Sequence, residues 1–256
     1  MQSFRSDLAV RPAPRIDAAS TGNTLLDALS SADRALLLPH CEALTLERGE
    51  VLIALDEPIE YAHFLQSGIA SITSRSPENG RTEIGIFGCD GMSGTPLLLG
   101  QDRTPQDTFI QVSRADALRI PAERFNAAVE ASATLRRMML CYVQTMLVQV
   151  AQCAVANARH GIEARLARWL LMCHDRLDGD EIALTHEFMA MMIGAQRSGV
   201  TVALHILEGT GMIHSRRGLV VIRDRDKLVE LAGDGYGLAE AEYRRLIGPL
   251  GPQRDE

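Results

Sequence analysis

The sequence lacks the residue patterns that mark several common classes of protein. Its five cysteines include no Cys-x-x-Cys pair, which argues against a zinc or iron–sulfur site, so we predict neither metal nor cofactor. No paired carboxylates, Ser/His/Asp set or phosphate-cradling glycine loop with a following lysine is visible, and we predict that the protein is not an enzyme. Residues 1–15 contain no uninterrupted apolar run of the kind found in signal peptides, which predicts a cytoplasmic protein.

One uncharged stretch, 138–158, is long enough to span a membrane. It carries Gln144, Gln149, Gln152 and Asn157, whose amides are costly in hydrocarbon. We therefore predict no membrane association and interpret the stretch as a helix in a protein–protein interface. With 256 residues, 46% of them hydrophobic, the chain is long enough for about one or two domains with a buried core.

The pattern of residue types changes along the N-terminal half of the chain. Residues 1–21 are polar, contain two prolines and are predicted to be a flexible tail, and a short helix is predicted over 24–40. Short β-type runs separated by glycine turns then recur at near-regular spacing, which is typical of a small barrel or sandwich. This domain is placed at 22–133. Its predicted strands are 43–47, 51–55, 61–65, 69–74, 82–87, 107–112 and 117–120.

The segment 134–160 is predicted to form one long helix. Its apolar residues recur at alternating spacings of four and three, which predicts a coiled-coil seam between two copies of the chain. A second apolar flank runs beside the seam, so the helix is expected to pack on its own barrel as well. Residues 159–161 interrupt the pattern and are interpreted as a hinge. The predicted dimer-interface residues are Leu135, Met139, Tyr142, Met146, Gln149 and Cys153.

Residues 184–222 are predicted to fold as helix, glycine turn, second helix and β-hairpin, within a domain at 161–232. Thr185 is a good N-cap for the first helix, and Gly194 suits its end. This arrangement is a winged helix-turn-helix. The remaining residues, 233–256, are predicted to be a C-terminal tail with one weak helix. The predicted buried positions of the second helix are Val200, Ala203, Leu204 and Leu207.

The helix-turn-helix segment is basic although the chain is acidic. Residues 194–225 contain five arginines against two carboxylates, a net charge of +3, whereas the whole chain carries −7. A helical hairpin that binds nothing does not need such a local excess, which is typical of a nucleic-acid site. We predict that the second helix enters the major groove of double-stranded DNA. The predicted base-reading residues are Arg197, Ser198, Thr201 and Val202, and the predicted backbone contacts are Thr185, His205, Arg216 and Arg217.

A barrel with glycine turns, a long helix, a hinge and a winged helix-turn-helix, in this order, resembles the Crp/Fnr family of bacterial transcription regulators. The resemblance covers roughly 24–232 and is strongest at 187–194, 197–208 and 211–213. It implies an α+β fold: an N-terminal double-stranded β-roll of the cyclic-nucleotide-binding type, a long dimerisation helix and a C-terminal winged helix-turn-helix. It also implies a homodimer on a two-fold symmetric operator. RNA polymerase and a small-molecule effector are open as further partners.

The predicted recognition helix departs from the family's common sequence, Arg-Glu-Thr-Val with a second Arg one turn later. Here Arg197 matches, but Ser198 and Val202 replace the glutamate and the second arginine. Arg197 can pair bidentately with guanine, whereas Val202 offers only an apolar contact to a thymine methyl group. We expect a half-site that differs from the family's best-known one. A phosphate contact is the alternative role for Arg197.

The roll departs further from the family's cyclic-nucleotide-binding members, which carry Gly-Glu-Leu and then Arg-Ser or Arg-Thr. Thr95 replaces the glutamate, and Asp107 replaces the arginine that pairs with the cyclic phosphate, unless Arg103 takes that role from four residues earlier. We predict that the roll senses an unidentified signal or none, rather than a cyclic nucleotide. The alternative is a small-molecule receptor in which the roll carries the main activity. The effector-pocket candidates are Gly94, Thr95, Arg103, Thr108 and Val150.

Two residues are candidates for other sensing chemistry. His63 or Cys89 could ligate haem, although a lone histidine beside a strand is more often a hydrogen-bonded structural residue. Cys89 lies in a Gly-Cys-Asp-Gly turn and would be redox-active if that turn exposed it. Residues 1–40 lack the cysteine cluster that oxygen-sensing members of the family use.

Overall fold

A computed structural model describes residues 17, 20–76 and 80–252. Most of the predicted tail at 1–21 lies outside these residues. Thr21, however, is buried, and its backbone N–H and its hydroxyl both donate to Asp27, at 2.8 and 2.9 Å. The ordered fold therefore includes Thr21.

The N-terminal segment forms two helices, α1 Thr24–Asp27 and α2 Ser31–Leu37, followed by a 3-10 turn at Leu38–His40. The single helix predicted over this segment is wrong. Ser30 adopts an extended conformation, and its hydroxyl accepts a hydrogen bond from the backbone N–H of Asp33 at 3.1 Å. A serine is more favourable at an N-cap than inside a helix, so the chain ends one helix and starts another here.

Antiparallel strands in two sheets, ordered β1-β7-β3 and β2-β6-β4-β5, form the roll. Leu65 and Ala117 from the first sheet pack in one core with Phe87 and Ile110 from the second. Each predicted strand is confirmed, with its ends shifted by a few residues at most. The strands are β1 Glu42–Leu46, β2 Val51–Ile53, β3 Tyr61–Leu65, β4 Ile69–Ser76, β5 Gly80–Phe87, β6 Gln106–Val112 and β7 Ala115–Pro121, with α3 Thr95–Leu98 before β6 and α4 Ala122–Ala131 after β7.

The long helix α5, Ala133–Arg159, packs on the roll with the face that was predicted to meet a partner. The Tyr142 hydroxyl donates to the carbonyl of Met92 at 3.2 Å, and the Gln149 side chain accepts from the backbone N–H of Ile86 at 2.7 Å. The side chains of the predicted dimer seam are therefore packed against the roll of their own chain. Within the chain, Leu135, Met139, Tyr142, Gln149 and Cys153 are buried and Met146 is half-buried.

The opposite face of α5 is exposed and partly apolar. Leu140, Leu147 and Val155 are 42, 60 and 42% exposed. Among the described residues α5 is the one helix that could cross a membrane by length and composition, and 39% of its most apolar stretch is buried inside the chain. The core helix of a folded domain passes the same test, so this finding is weak evidence for a membrane span.

The helix-turn-helix region follows α5 and is completed by a small sheet in which β10 pairs with both β8 and β9. Val200, Ala203, Leu204 and Leu207 are 0, 0, 2 and 0% exposed, which confirms the inward face predicted for the second helix. The elements are α6 Ile162–His174, β8 Glu181–Ile182, α7 His186–Met192, α8 Arg197–Gly209, β9 Ile213–Arg216, β10 Leu219–Ile222 and α9 Arg225–Ala232.

The C-terminal segment packs on the rest of the chain as far as residue 252, so it is not a loose tail, but the helix predicted within it is present. A short 3-10 turn leads into α10, Leu238–Leu246, which packs along α5. Tyr243 is buried, and its hydroxyl donates to the backbone carbonyl of Asp90 at 2.6 Å. Burial of the Tyr243 ring stabilises this packed arrangement, although the glycines and proline of the segment suggested a loose end.

Buried polar contacts join the helix-turn-helix region to the roll. Arg176, just after α6, pairs with Asp90 through Nε–Oδ1 (3.1 Å) and Nη2–Oδ2 (2.9 Å). Nearby, the indole N–H of Trp169 donates to Glu83 on β5 at 2.9 Å. Burial raises the pKa of Glu83 to about 8 despite this hydrogen bond and one from Ser71. Buried ion pairs and hydrogen bonds therefore join the helix-turn-helix region to the roll.

The two candidates for haem or redox chemistry are structural residues. His63 is buried, and its Nδ1 lies 3.0 Å from the Ser93 hydroxyl; burial lowers its pKa to about 4. Cys89 is 5% exposed, and burial raises the pKa of its thiol to about 12. A thiol that stays protonated is a poor nucleophile and metal ligand, and the turn does not expose Cys89, so the condition for redox activity is not met.

Candidate nucleic-acid interface

A cleft of about 550 Å³ lies between α8 and the β9–β10 wing. Arg197, at the first position of α8, lines one side, and Arg216 and Arg217 line the wing side. Thr185, the N-cap of α7, and His205, on α8, also line the cleft. The structure thus brings one predicted base-reading residue and the four predicted backbone contacts into one concavity, which Glu187 and Glu208 also line.

Local sequence explains how α7 and α8 reach this geometry. The Thr185 hydroxyl accepts the Phe188 N–H at 3.3 Å and caps α7, as predicted. Gly194, with φ of +60°, ends the helix in the left-handed region that glycine favours. The chain then enters α8 at Arg197, whose side chain is exposed.

The outer face of α8 presents the other predicted base-reading residues. Ser198 is exposed and Val202 is 57% exposed, so both side chains are free to meet another molecule. Thr201 is half-buried, and its hydroxyl donates to the Arg197 carbonyl at 3.0 Å. The ring Nδ1 of His186 lies 3.1 Å from the same hydroxyl. Thr201 therefore has less hydrogen-bonding capacity left than the sequence suggested.

A contact that sequence reasoning missed ties the wing to the end of α8. One oxygen of Glu208, Oε1, accepts from the Ser215 N–H at 3.0 Å and lies 2.9 Å from His214 Nδ1. The other ring nitrogen of His214, Nε2, accepts from Arg216 Nε at 3.1 Å. The Ser215 N–H is the chief reason that the pKa of Glu208 lies below its ordinary value. This contact could not be inferred from the sequence, because it depends on the register of the hairpin, in which His214 pairs with Val221.

The roll holds a carboxylate where the sequence analysis placed a phosphate-binding position. Asp107 is 4% exposed and pairs with Arg75 Nε at 2.6 Å and Arg81 Nη2 at 3.1 Å. Burial raises the pKa of Asp107, but the Arg75 hydrogen bond, the Leu55 N–H and both guanidinium charges together hold it below its ordinary value. Asp107 is thus an ionised residue whose partners come from its own chain.

The five effector-pocket candidates do not gather at one place. Thr108 is buried on β6, and Val150 packs over Gly85 of the same sheet. Gly94 is the N-cap of α3 and lies beside Ala62 of the other sheet. Thr95 is the first residue of α3. The Arg103 side chain is 54% exposed and pairs with neighbouring Asp102 at 3.2 Å. Among the residues that the structure describes, no group of three or more His, Cys, Asp and Glu residues could hold a metal ion.

Two family models match the chain. The cyclic nucleotide-binding domain matches residues 43–132, and the Crp-like helix-turn-helix domain matches residues 164–231. None of the curated proteins matches it in sequence.

Solved structures share the fold over most of their length. A Crp/Fnr-family structure from Eubacterium rectale is 19% identical, with 83% of this chain and 99% of that chain covered and a TM-score of 0.64. FixK2 from Bradyrhizobium japonicum is 17% identical, with coverages of 75 and 98% and a TM-score of 0.63. A transcriptional regulator of the CRP/FNR family from Thermus thermophilus, TTHA1359, is 18% identical, with coverages of 75 and 98% and a TM-score of 0.60.

A cyclic-nucleotide-binding-type roll, a long helix and a Crp-like helix-turn-helix in one chain define a class of transcription regulators. The chain belongs to the Crp/Fnr family.

Proposed function

We propose that the protein is a cytoplasmic, non-enzymatic transcription regulator that binds double-stranded DNA sequence-specifically as a homodimer. The observation that carries the proposal is the cleft in which Arg197 faces the wing residues Arg216 and Arg217. Three arginines against two glutamates, Glu187 and Glu208, line this concave surface, a local excess of positive charge on a chain whose net charge is −7, which suits the phosphate backbone of DNA. In this arrangement α8 enters the major groove and the wing follows the adjacent backbone.

The first turn of α8 gives the proposed base contacts. Gln196, its N-cap, makes no side-chain capping hydrogen bond, so the first backbone N–H groups of α8 are available to a phosphate. Arg197 in the first turn then reads guanine, Ser198 offers its hydroxyl, and Val202 contacts a thymine methyl group one turn later. Thr201 contributes through the lone pair that its contacts with Arg197 and His186 leave free.

The base-reading role of Arg197 is tested with Arg197→Ala on the preferred site from a random-sequence selection and on variants of that site. We expect affinity for the preferred site to fall by about 5- to 150-fold, the cost of one bidentate guanine contact. Site variants lacking that guanine should lose little, so discrimination at that base pair disappears. Fluorescence anisotropy at fixed salt measures both effects.

Arg124→Ala is the matched control, because it removes the same charge from an exposed site on the roll, where Arg124 lies 3.5 Å from Glu123. It should leave affinity unchanged. An equal loss on every site variant would assign Arg197 to a phosphate instead of a base. Failure of the wild-type protein to enrich any sequence would reject DNA binding itself.

The homodimer is proposed to form through the exposed face of α5. A line along this face keeps the spacing of three and four residues that defines a coiled-coil seam, one or two positions away from the seam predicted from the sequence. Its two large apolar side chains, Leu140 and Leu147, stand 42 and 60% exposed. A dimer related by a two-fold axis would then read two half-sites about 34 Å, one turn of DNA, apart. The line consists of Arg137, Leu140, Gln144, Leu147, Ala151, Ala154 and Ala158.

We expect the roll to bind no cyclic nucleotide. The buried carboxylate of Asp107 already engages both Arg75 and Arg81, so an incoming phosphate would have to compete with that carboxylate for the two guanidinium groups and would meet its negative charge. Isothermal titration with cyclic AMP and cyclic GMP should give no saturable heat at nucleotide concentrations up to about 1 mM, the weak limit of specific binding. Saturable binding below that limit would instead favour the receptor role for the roll.

A further inference from the structure

The contact between α8 and the wing consists of three side chains in a row. Glu208 at the end of α8, His214 on β9 and Arg216 at the end of β9 are joined by separations of 2.9 and 3.1 Å. His214 and Glu208 are partly buried, with 41 and 33% of their side chains exposed, whereas Arg216 is exposed and lines the cleft. The row therefore runs from the recognition helix to a residue on the proposed DNA surface.

The chemistry of the three groups fixes where the proton of His214 lies. A guanidinium has only donors, so Nε2 of His214 must be the acceptor for Arg216 Nε. The carboxylate of Glu208 is an acceptor, so Nδ1 must carry the proton. Only the neutral imidazole with its proton on Nδ1 satisfies both contacts.

Protonation of the ring would break one of these contacts. An imidazolium has an N–H at Nε2, which would face the N–H of Arg216 and place two positive charges side by side. The contact with Glu208 would persist and strengthen. His205, also on α8, is a second titratable group near Glu208; His186, Glu187, Arg197 and Arg217 line the same cleft, and Val221, opposite His214 on β10, is apolar. The charge change would therefore act mainly on Arg216.

We propose that His214 is a positioning residue: its neutral form holds Arg216 on the wall of the cleft, and its protonation releases Arg216. The inference rests on the proposed DNA-binding function. Since only Nε of Arg216 is used, both terminal nitrogens remain available to a phosphate. His214 needs no contact with DNA for this role. DNA affinity should then be weaker when His214 is protonated than when it is neutral.

The experiment compares His214→Ala, His214→Gln, Arg216→Ala and the double variant His214→Ala/Arg216→Ala. A glutamine offers one acceptor and one donor group and does not titrate, so it can reproduce the neutral ring. Affinity for the selected site is measured by anisotropy as a function of salt, at about pH 8 and about pH 5.5, on either side of the usual histidine pKa.

At about pH 8 we expect both single alanine variants to lose about tenfold in affinity, the effect of one charge-assisted contact, and the double variant to lose no more than either. The slope of log K against log salt should fall by about 0.9 in each of them, which reports one lost phosphate contact. His214→Gln should keep the wild-type slope. At about pH 5.5 wild type should approach His214→Ala, whereas His214→Gln should not.

Two results would overturn the inference while leaving DNA binding intact. One is a His214→Ala variant with the wild-type affinity and salt slope. The other is an imidazole ¹⁵N spectrum of the free protein that shows the His214 proton on Nε2. A wild-type chain that selects no DNA would instead overturn the proposed function, and the positioning role with it.

Discussion

Arg176→Met is expected to destabilise the protein by about 3–5 kcal/mol, because it leaves the Asp90 carboxylate buried without its cation. Arg176 and Asp90 are 4 and 2% exposed, and two nitrogens of the guanidinium contact the two carboxylate oxygens. A third nitrogen, Nη1, donates to the Met172 carbonyl at 2.8 Å. Burial alone would lower the pKa of Arg176, but the charge of Asp90 and its neighbours keeps it above the ordinary value. Urea unfolding followed by far-UV circular dichroism measures the loss.

The control is Arg124→Met, which removes an arginine whose partner Glu123 is 81% exposed. Exposed pairs of this kind contribute at most about 1 kcal/mol. Adding Asp90→Asn to Arg176→Met should restore part of the stability, since no buried charge then remains unpaired and the Asn oxygen can still accept from the Gly88 N–H. A double variant no more stable than Arg176→Met would show that the loss comes from packing and not from the uncompensated charge.

The helix-turn-helix was predictable because its information is local. The spacing of Val200, Ala203, Leu204 and Leu207 specifies one buried stripe, and these four side chains are 2% exposed or less. Thr185 and Gly194 act on backbone groups within three or four residues of themselves. No long-range contact is needed to infer such features.

The dimer seam shows where periodicity stops being informative. The sequence of α5 has two apolar flanks, and a period of three and four residues fits both of them. Which flank meets the roll depends on partners far away in sequence, such as the Tyr142 hydroxyl with Met92 and Gln149 with Ile86. The larger residues lie on the buried flank, whereas the exposed line carries a glutamine between its two leucines and alanines after them.

The cleft and the roll contain contacts that depend on strand register. Asp107 lies opposite Thr73, and Arg75 lies opposite Arg81, so one carboxylate comes within reach of two guanidinium groups. The sequence correctly indicated that a carboxylate occupies the phosphate-binding position but could not supply its partners. Similarly, Tyr243 meets Asp90 across more than half of the chain length, which no local pattern encodes.

Leu147→Glu is expected to convert the proposed homodimer into a monomer. On a two-fold axis, each residue of a seam lies near its own copy, so the substitution places two carboxylates together in an apolar contact. Leu147 is 60% exposed within the chain, so the substitution should leave the stability of the single chain nearly unchanged. Sedimentation equilibrium measures the change in mass. Affinity for a two-fold symmetric site should fall by about 10²- to 10⁴-fold, because a monomer loses the effective concentration of the second reading helix.

Leu99→Glu provides the matched control, since Leu99 is also 60% exposed but lies on the roll beyond α3. It should remain dimeric and bind DNA as wild type does. Met139→Glu separates the two faces of α5: Met139 is fully buried against the roll, so its substitution should unfold the chain instead of giving a folded monomer. A dimeric Leu147→Glu with undiminished operator affinity would reject the exposed line as the interface. A folded, monomeric Met139→Glu would return the interface to the buried flank and show that α5 turns about its axis when two chains meet.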